Sequence, residues 1–213
     1  CFIHSYRESQ TLILSKIKSL IISSQNNQTN FLCLPSLLSF YSKNMSYFRM
    51  LDDAFIQQYL LPLMGSYLFP YFSVQYIELF HSLLKTKPTL SNDYTTYILK
   101  HWPVSNHKKL VIYVSMLQNI IKEFPQYLLP DTINSLFKLL IDCVSNPTSE
   151  ISQQALYLLN DDHVVAFFCN LSMNLKNRLI FTLQEVGNTH WIQSTRLYAL
   201  ETLGVYKTML TTE

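Results

Sequence analysis

Apolar residues recur every three to four positions along nearly the whole chain, which is the period of a helix with one buried face. In 110–121 they occupy Leu110, Tyr113, Val114, Leu117, Ile120 and Ile121, with Ser115, Gln118, Asn119 and Lys122 off the stripe. In 132–141 they occupy Ile133, Leu136, Phe137 and Leu140. The run 74–84 places Ile77, Phe80, Leu83 and Leu84 on one face and stops at Lys87-Pro88. In 192–209, Leu197, Leu200, Leu203 and Val205 stand among polar neighbours as the apolar positions of a last helix. Prolines punctuate the pattern. Pro35, Pro62, Pro88, Pro103, Pro130 and Pro147 are spaced by about 15 to 27 residues, close to one helix plus a turn. Proline fits the first turn of a helix and not its interior, so this spacing predicts helix starts. Asn92-Asp93, Asp131 and Ser145-Asn146 supply cap and turn residues beside them.

Two antiparallel helices with their connections fill about 40 residues, the period of HEAT and armadillo arrays. The chain therefore predicts an all-α fold: a HEAT/armadillo-like helical-repeat solenoid of about five antiparallel helix pairs, one domain over 1–213. A globular helical bundle of this length would show the same periodicity. The first residue is Cys1, with helical pattern at once, so the chain reads as a fragment whose N-terminal portion is missing.

Composition sharpens the picture. Of 213 residues 48% are hydrophobic, enough for a substantial core, and only 3 are Gly, where average usage would give about 15. Sheets, hairpins and phosphate-cradling loops draw on Gly, so its scarcity argues against Rossmann, P-loop and kinase-type sites. The formal charge is +2 with basic residues scattered. Without a basic stripe to neutralise phosphates, no nucleic-acid partner is expected. Residues 54–77 carry no charge and are long enough to span a bilayer. Pro62 and Pro70 divide that run into pieces of two or three turns suited to buried helices, so no membrane partner is expected. Cys1, Cys33, Cys143 and Cys169 form no C-x-x-C pair and predict reduced, buried thiols in an intracellular protein.

Candidate chemistry is sparse. None of His4, His81, His101, His107, His163 and His190 has a partner at metal-site spacing, so neither a metal nor a catalytic residue is assigned. Asp161-Asp162-His163 reads as a helix start before Val164–Phe168, and Asp52-Asp53 as the start of the helix at Phe55. Trp102 reads as packing between neighbouring repeats. His190-Trp191 lies in an inter-helix connection, where solenoids meet partners.

The order of several short motifs resembles the B56 (B′) family of regulatory subunits of protein phosphatase 2A. Phe55-Ile56…Leu60-Leu61-Pro62-Leu63 is similar to a family segment running into Leu-Leu-Pro-Leu. Lys87-Pro88-Thr89-Leu90 resembles its Asp-Pro-Ser-Leu turn, and Ile98-Leu99-Lys100-His101-Trp102-Pro103 its Leu-x-Lys-Phe-Trp-Pro. Cys143-Val144-Ser145-Asn146-Pro147…Ala155-Leu156-Tyr157…Asn160 matches its Cys-Val-Ser-x-Pro, Ala-Leu-Tyr and Asn. Thr189-His190-Trp191 and Ala199-Leu200…Lys207…Met209 resemble its His-Trp-Asn loop and last long helix, bringing coverage to about residues 54–209. Two departures mark a divergent member. The family's Ala-Leu-Tyr-Tyr-Trp-Asn-Asn reads here Ala155 to Asp161 without its indole, and Ile192 replaces the Asn after Trp191.

The resemblance implies a solenoid without a cofactor or catalysis of its own, located in the cytoplasm and also the nucleus. It implies docking on the phosphatase 2A scaffold and catalytic subunits and direction of the enzyme to substrates carrying short linear motifs. The rival reading is a helical-repeat adaptor or transport scaffold with no phosphatase partner. The family binds Leu-x-x-Ile-x-Glu peptides through two arginines, a tyrosine and a lysine in a groove that falls within the first 50 residues. The least-gapped alignment puts the arginine and tyrosine positions at Cys1, Ile3 and Gln10 and the lysine at Arg49. A shift of three residues would bring in Arg7. The candidate groove residues are therefore Arg7, Gln10 and Arg49, for which ordinary surface charge is the plain alternative.

Overall fold

A computed structural model of the chain describes residues 15–16, 19, 22–23, 32–43 and 53–211. Every described element is helical, and the contacts divide the chain into two compact units, Cys1–Leu90 and Ser91–Glu213.

In the first unit α1 (Leu34–Lys43) packs on α4 (Phe69–Thr86). Between them α2 (Asp53–Phe55) continues through a π-helical segment (Ile56–Leu60) into α3 (Leu61–Gly65). Pro62 explains the irregularity. Its ring excludes the carbonyl one turn back and it has no N–H to donate, so the hydrogen-bond register widens just before it. Leu61 N–H accordingly reaches Ile56 O, and the Tyr76 hydroxyl, deep in the unit, donates to Leu60 O at 3.0 Å. Lys87 reaches back to Asp53 at 2.6 Å, tying the end of α4 to the start of α2. Pro70 does start a helix, but α4 then runs 18 residues rather than two or three turns. Its core face is Phe69, Phe72, Tyr76, Leu79, Phe80 and Leu83, with Ile77 only half-buried. Among the described residues no helix is long and apolar enough to cross a membrane.

The second unit holds α5 (Leu90–Lys100, its first residue falling in unit one), α6 (His107–Glu123), α7 (Pro130–Val144) and α8 (Ser149–Leu159). A short α9 (Asp162–Phe168) follows, then α10 (Met173–Thr189) and α11 (Gln193–Thr211). Successive helices pack as pairs, α7 on α8 and α10 on α11. Each member also packs on its counterpart in the next pair: α6 on α8, α8 on α11 and α7 on α10. The result is two helical layers, α5, α7 and α10 in one and α6, α8 and α11 in the other. This is a helical-repeat array. Pro130 opens α7, and Pro147 lies two residues before α8, as their spacing predicts.

Hydrogen bonds between pairs repeat at the same sequence interval. Asn92 accepts from Leu129 N–H and the Thr132 hydroxyl, Arg178 donates to Asp142 at 2.6 Å, Gln153 donates to Thr195, and Asn160 donates to Thr202 at 2.7 Å. The partners are 36 to 42 residues apart, one repeat. Asn92 is thus inside α5 and pins the next pair instead of capping a helix.

Two apolar stripes differ from the periodicity reading. In α7 Leu136, Phe137 and Leu140 are buried as read, and only the first position differs: Thr132 is buried and Ile133 half-buried, because α7 touches neighbours on two sides. In α11 the buried set is Thr195, Ala199, Thr202, Leu203 and Tyr206; of the four residues read from the pattern only Leu203 is inside. The stripe of α6 is as read, all six positions buried.

Gly187 allows a close approach of two helices. A Cβ on Gly187 of α10 would lie 2.6 Å from Leu200 Cδ2 of α11. Gly204 has no such role, since a Cβ there would meet nothing within 4 Å. Gly204→Ala is therefore expected to raise unfolding free energy by about 0.5–1 kcal/mol, through lower backbone entropy in the unfolded chain. Urea unfolding followed by circular dichroism at 222 nm checks this, and a decrease in midpoint would contradict it.

Candidate functional site

The turns that join the two layers in successive pairs carry the residues singled out from the sequence. His190 ends α10 with extended backbone (φ −60°, ψ 136°). It is buried, its Nδ1 accepts from Ile192 N–H at 3.1 Å, and its carbonyl accepts from Arg196 at 2.6 Å. The Nδ1 contact fixes the orientation of the ring within the turn. Trp191, stacked on it with centroids 6.0 Å apart, is 71% exposed. Its indole N–H donates to Pro147 O at 3.1 Å, in the turn of the preceding pair. Within this loop His190 holds the turn, while Trp191 offers a broad apolar surface to solvent.

Two pairs earlier, Trp102 is half-buried at the α5–α6 turn, edge-on to Tyr113 and hydrogen-bonded with Cys143 of α7. It packs between neighbouring pairs, as read. The Cys143 thiol is pushed up to about 11, chiefly by burial, with the Trp102 hydrogen bond opposing the rise and the Asp142 charge adding to it. Cys33 and Cys169, by contrast, are exposed, a correction to the expectation of buried thiols. The sequence pattern misplaced them because both sit at helix ends, where polarity sets no clear stripe. At pH 8 Cys143 is expected to react with iodoacetamide at least about 10²-fold more slowly than these exposed thiols, since the thiolate is the nucleophile. Mass spectrometry of the time course reads this directly; equal rates would contradict the assigned environment.

Asp161 caps α9, accepting from His163 N–H at 2.9 Å, so Asp161-Asp162-His163 is a helix start. Among the described residues no three His, Cys, Asp or Glu side chains converge as a metal-binding group. Asp53 likewise begins α2. Two lysines are buried at helix starts over aromatic rings. The Lys109 ammonium lies 5.4 Å from the Tyr113 centroid, with desolvation lowering its pKa, and Lys176 lies 5.3 Å from that of Phe168.

Two kinds of groove run between the pairs. In the first layer two adjoining cavities of about 480 and 520 Å³ flank α7, sharing Asp131 and Ser135, with Lys100 on one side and Lys138 and Arg178 on the other. Both linings carry charges of mixed sign, and Leu99 and Leu139 add apolar surface to the smaller cavity. In the second layer a cavity of about 440 Å³ between α8 and α11 is lined by Gln153, Gln154, Tyr157, Ser194 and Tyr198. None of these side chains is charged. No sequence signal marked it, because its two walls are a full repeat apart in the chain.

A sequence model of the family described as "Protein phosphatase 2A regulatory B subunit (B56 family)" matches residues 2–212. The chain belongs to the B56 family. Among B56 relatives, the B′ kappa isoform of the 57 kDa regulatory subunit from Oryza sativa subsp. japonica is 24% identical over 116 residues, 52% of this chain and 22% of that protein. The human beta isoform of the 56 kDa regulatory subunit is 24% identical over 135 residues, 60% of this chain and 27% of its own length. The 55 kDa B′ delta isoform from Arabidopsis thaliana is 28% identical over 104 residues, 46% of this chain and 21% of its own. The matched stretches thus span about a quarter of the length of these relatives.

Placed on the fold, the B56-like motifs fall at turns and at contacts between pairs. Lys87-Pro88-Thr89-Leu90 joins α4 to α5, Lys100–Pro103 ends α5, and Asn160 of the Ala-Leu-Tyr…Asn motif carries the bond to Thr202. The lost B56 indole falls at Leu159, which is buried and whose carbonyl accepts from the Tyr206 hydroxyl at 2.7 Å. Arg7, Gln10 and Arg49 of the candidate peptide groove lie outside the described residues.

Proposed function

We propose that this chain is part of a non-catalytic regulatory subunit of protein phosphatase 2A, which docks on the scaffold and catalytic subunits and directs the enzyme to substrates bearing short linear motifs. The observation that carries the reading is the B56 family match across residues 2–212. The repeat array supports it physically. Stacked helix pairs present long, rigid surfaces without requiring a buried catalytic centre, which suits a regulator that works by contact. The proposal includes a location in the cytoplasm and nucleus, the absence of a cofactor, and a role in partner contact for the exposed Trp191 face.

The test is gentle affinity purification of the tagged full-length protein. Scaffold and catalytic subunits are expected to co-purify in equal amounts. Recovery of neither would overturn the proposal in favour of an adaptor with no phosphatase partner. Trp191→Ala supplies the finer arm: reduced recovery with unchanged thermal unfolding assigns the contact, and full recovery removes Trp191 from the interface.

A further inference from the structure

We infer that the groove between α8 and α11 binds an extended, uncharged, proline-containing segment of a partner protein. Its lining selects that occupant. Tyr157 and Tyr198 stand on neighbouring helices of successive pairs, with the Gln153 and Gln154 amides and the Ser194 hydroxyl between and beside them. Tyr157 is 56% exposed and Tyr198 half-buried, so flat ring surface is open to solvent in a cavity of about 440 Å³. One amide hydrogen of Gln153 is engaged by Thr195 at 3.1 Å, which holds that side chain in place and leaves its carbonyl oxygen available as an acceptor.

Three modes of peptide recognition use secondary structure, and the lining separates them. Addition of a strand needs a sheet edge, and the described residues contain no strand. A docked amphipathic helix needs an apolar trough for its buried stripe, whereas this lining is rings, amides and a hydroxyl without one aliphatic side chain. A polyproline II segment asks for what is here. It has no internal hydrogen bonds, so its carbonyls need donors, and its rings pack on aromatic faces. Two phenol hydroxyls, a serine hydroxyl and the Gln154 amide are such donors.

Charge supports the same occupant. No charged residue lines the groove, and Glu201 continues the α11 stripe one turn beyond Tyr198. An acidic peptide would meet no cation there and would lie near a carboxylate.

The probe is a fluorescein-labelled, uncharged nonapeptide of Pro, Leu and Ala, titrated into the full chain and followed by anisotropy. Saturable binding is expected, equal at 50 mM and 500 mM NaCl, because no ion pair is involved. Tyr157→Ala and Tyr198→Ala should each weaken it by about ten-fold, as for central aromatic residues of interfaces. Tyr198→Phe should weaken it less, since the ring remains. Circular dichroism confirms that the variants stay helical. Absence of saturation by the wild-type chain would overturn the inference. So would equal binding of a Gly-Ser peptide of the same length, or binding that both alanine variants leave unchanged.

Discussion

Phe168→Ala is expected to lower the unfolding free energy by about 3–5 kcal/mol, the range for emptying an aromatic site in a core. A domain of this size has roughly 5–15 kcal/mol in total, so the variant should sit near the edge of stability. Three observations place the cost at the high end. Phe168 is fully buried, and it is the anchor of the short α9 between two pairs. Its ring meets Tyr206 of α11 at 4.8 Å between centroids. The Lys176 ammonium, on a residue only 4% exposed, lies over its face. Removing the ring leaves a cavity, loosens the Tyr206 ring whose hydroxyl reaches Leu159 O, and strips a buried cation of its aromatic face. Phe168→Leu keeps most of the volume but not the π-face, so the difference between the two variants isolates the aromatic share. Urea unfolding at pH 7 gives both numbers; a loss below about 1.5 kcal/mol for Phe168→Ala would show that α9 does not tie the pairs together.

The second large effect concerns recognition of acidic motifs. The protein is expected to bind Leu-x-x-Ile-x-Glu peptides about 10²–10⁴-fold more weakly than B56 members that keep both arginines, or to prefer a less acidic motif. Each charged hydrogen bond contributes roughly 1.5–3 kcal/mol, so the loss of two arginines removes on the order of 3–6 kcal/mol. Such contacts are not strictly additive, which is why the expectation is a range. In the least-gapped alignment Cys1, Ile3 and Gln10 stand at the arginine and tyrosine positions and only Arg49 keeps its charge. Titration with a fluorescent peptide of that pattern decides the matter. Low-micromolar binding that Arg49→Glu leaves unchanged would show both the alignment and the energetic argument to be wrong.

Helix positions were legible because the signals that start and stop a helix are local. Proline near the first turn, Asp161 before Val164 and Lys87-Pro88 after Leu84 act through the backbone of their own segment, and the structure has helix ends at each. The stripe of α6 was legible too, since apolar residues cluster there on a single face. Periodicity misled where a helix has neighbours on several sides. Thr195 and Thr202 are fully buried in α11, Thr202 satisfying its hydroxyl on the Tyr198 carbonyl while receiving Asn160 from the preceding pair. Leu197, Leu200 and Val205 are apolar and yet exposed, because α11 packs on α8 and α10 mostly through other residues. His190 and Trp191 are adjacent in the sequence and stacked in space, yet one is buried and one exposed, which only the packed turn with its extended backbone at His190 decides.

By itself, then, the sequence determined the helical class, the points where helices begin, and the family, the last through the order of short motifs along the chain. These depend on neighbours within a few positions, or on order alone. Only the tertiary structure decided which faces are core, which polar groups are pins between pairs, and that Tyr157 and Tyr198 line one groove. Those properties depend on residues about 40 positions away, brought close by stacking; the helical period carries no record of that distance.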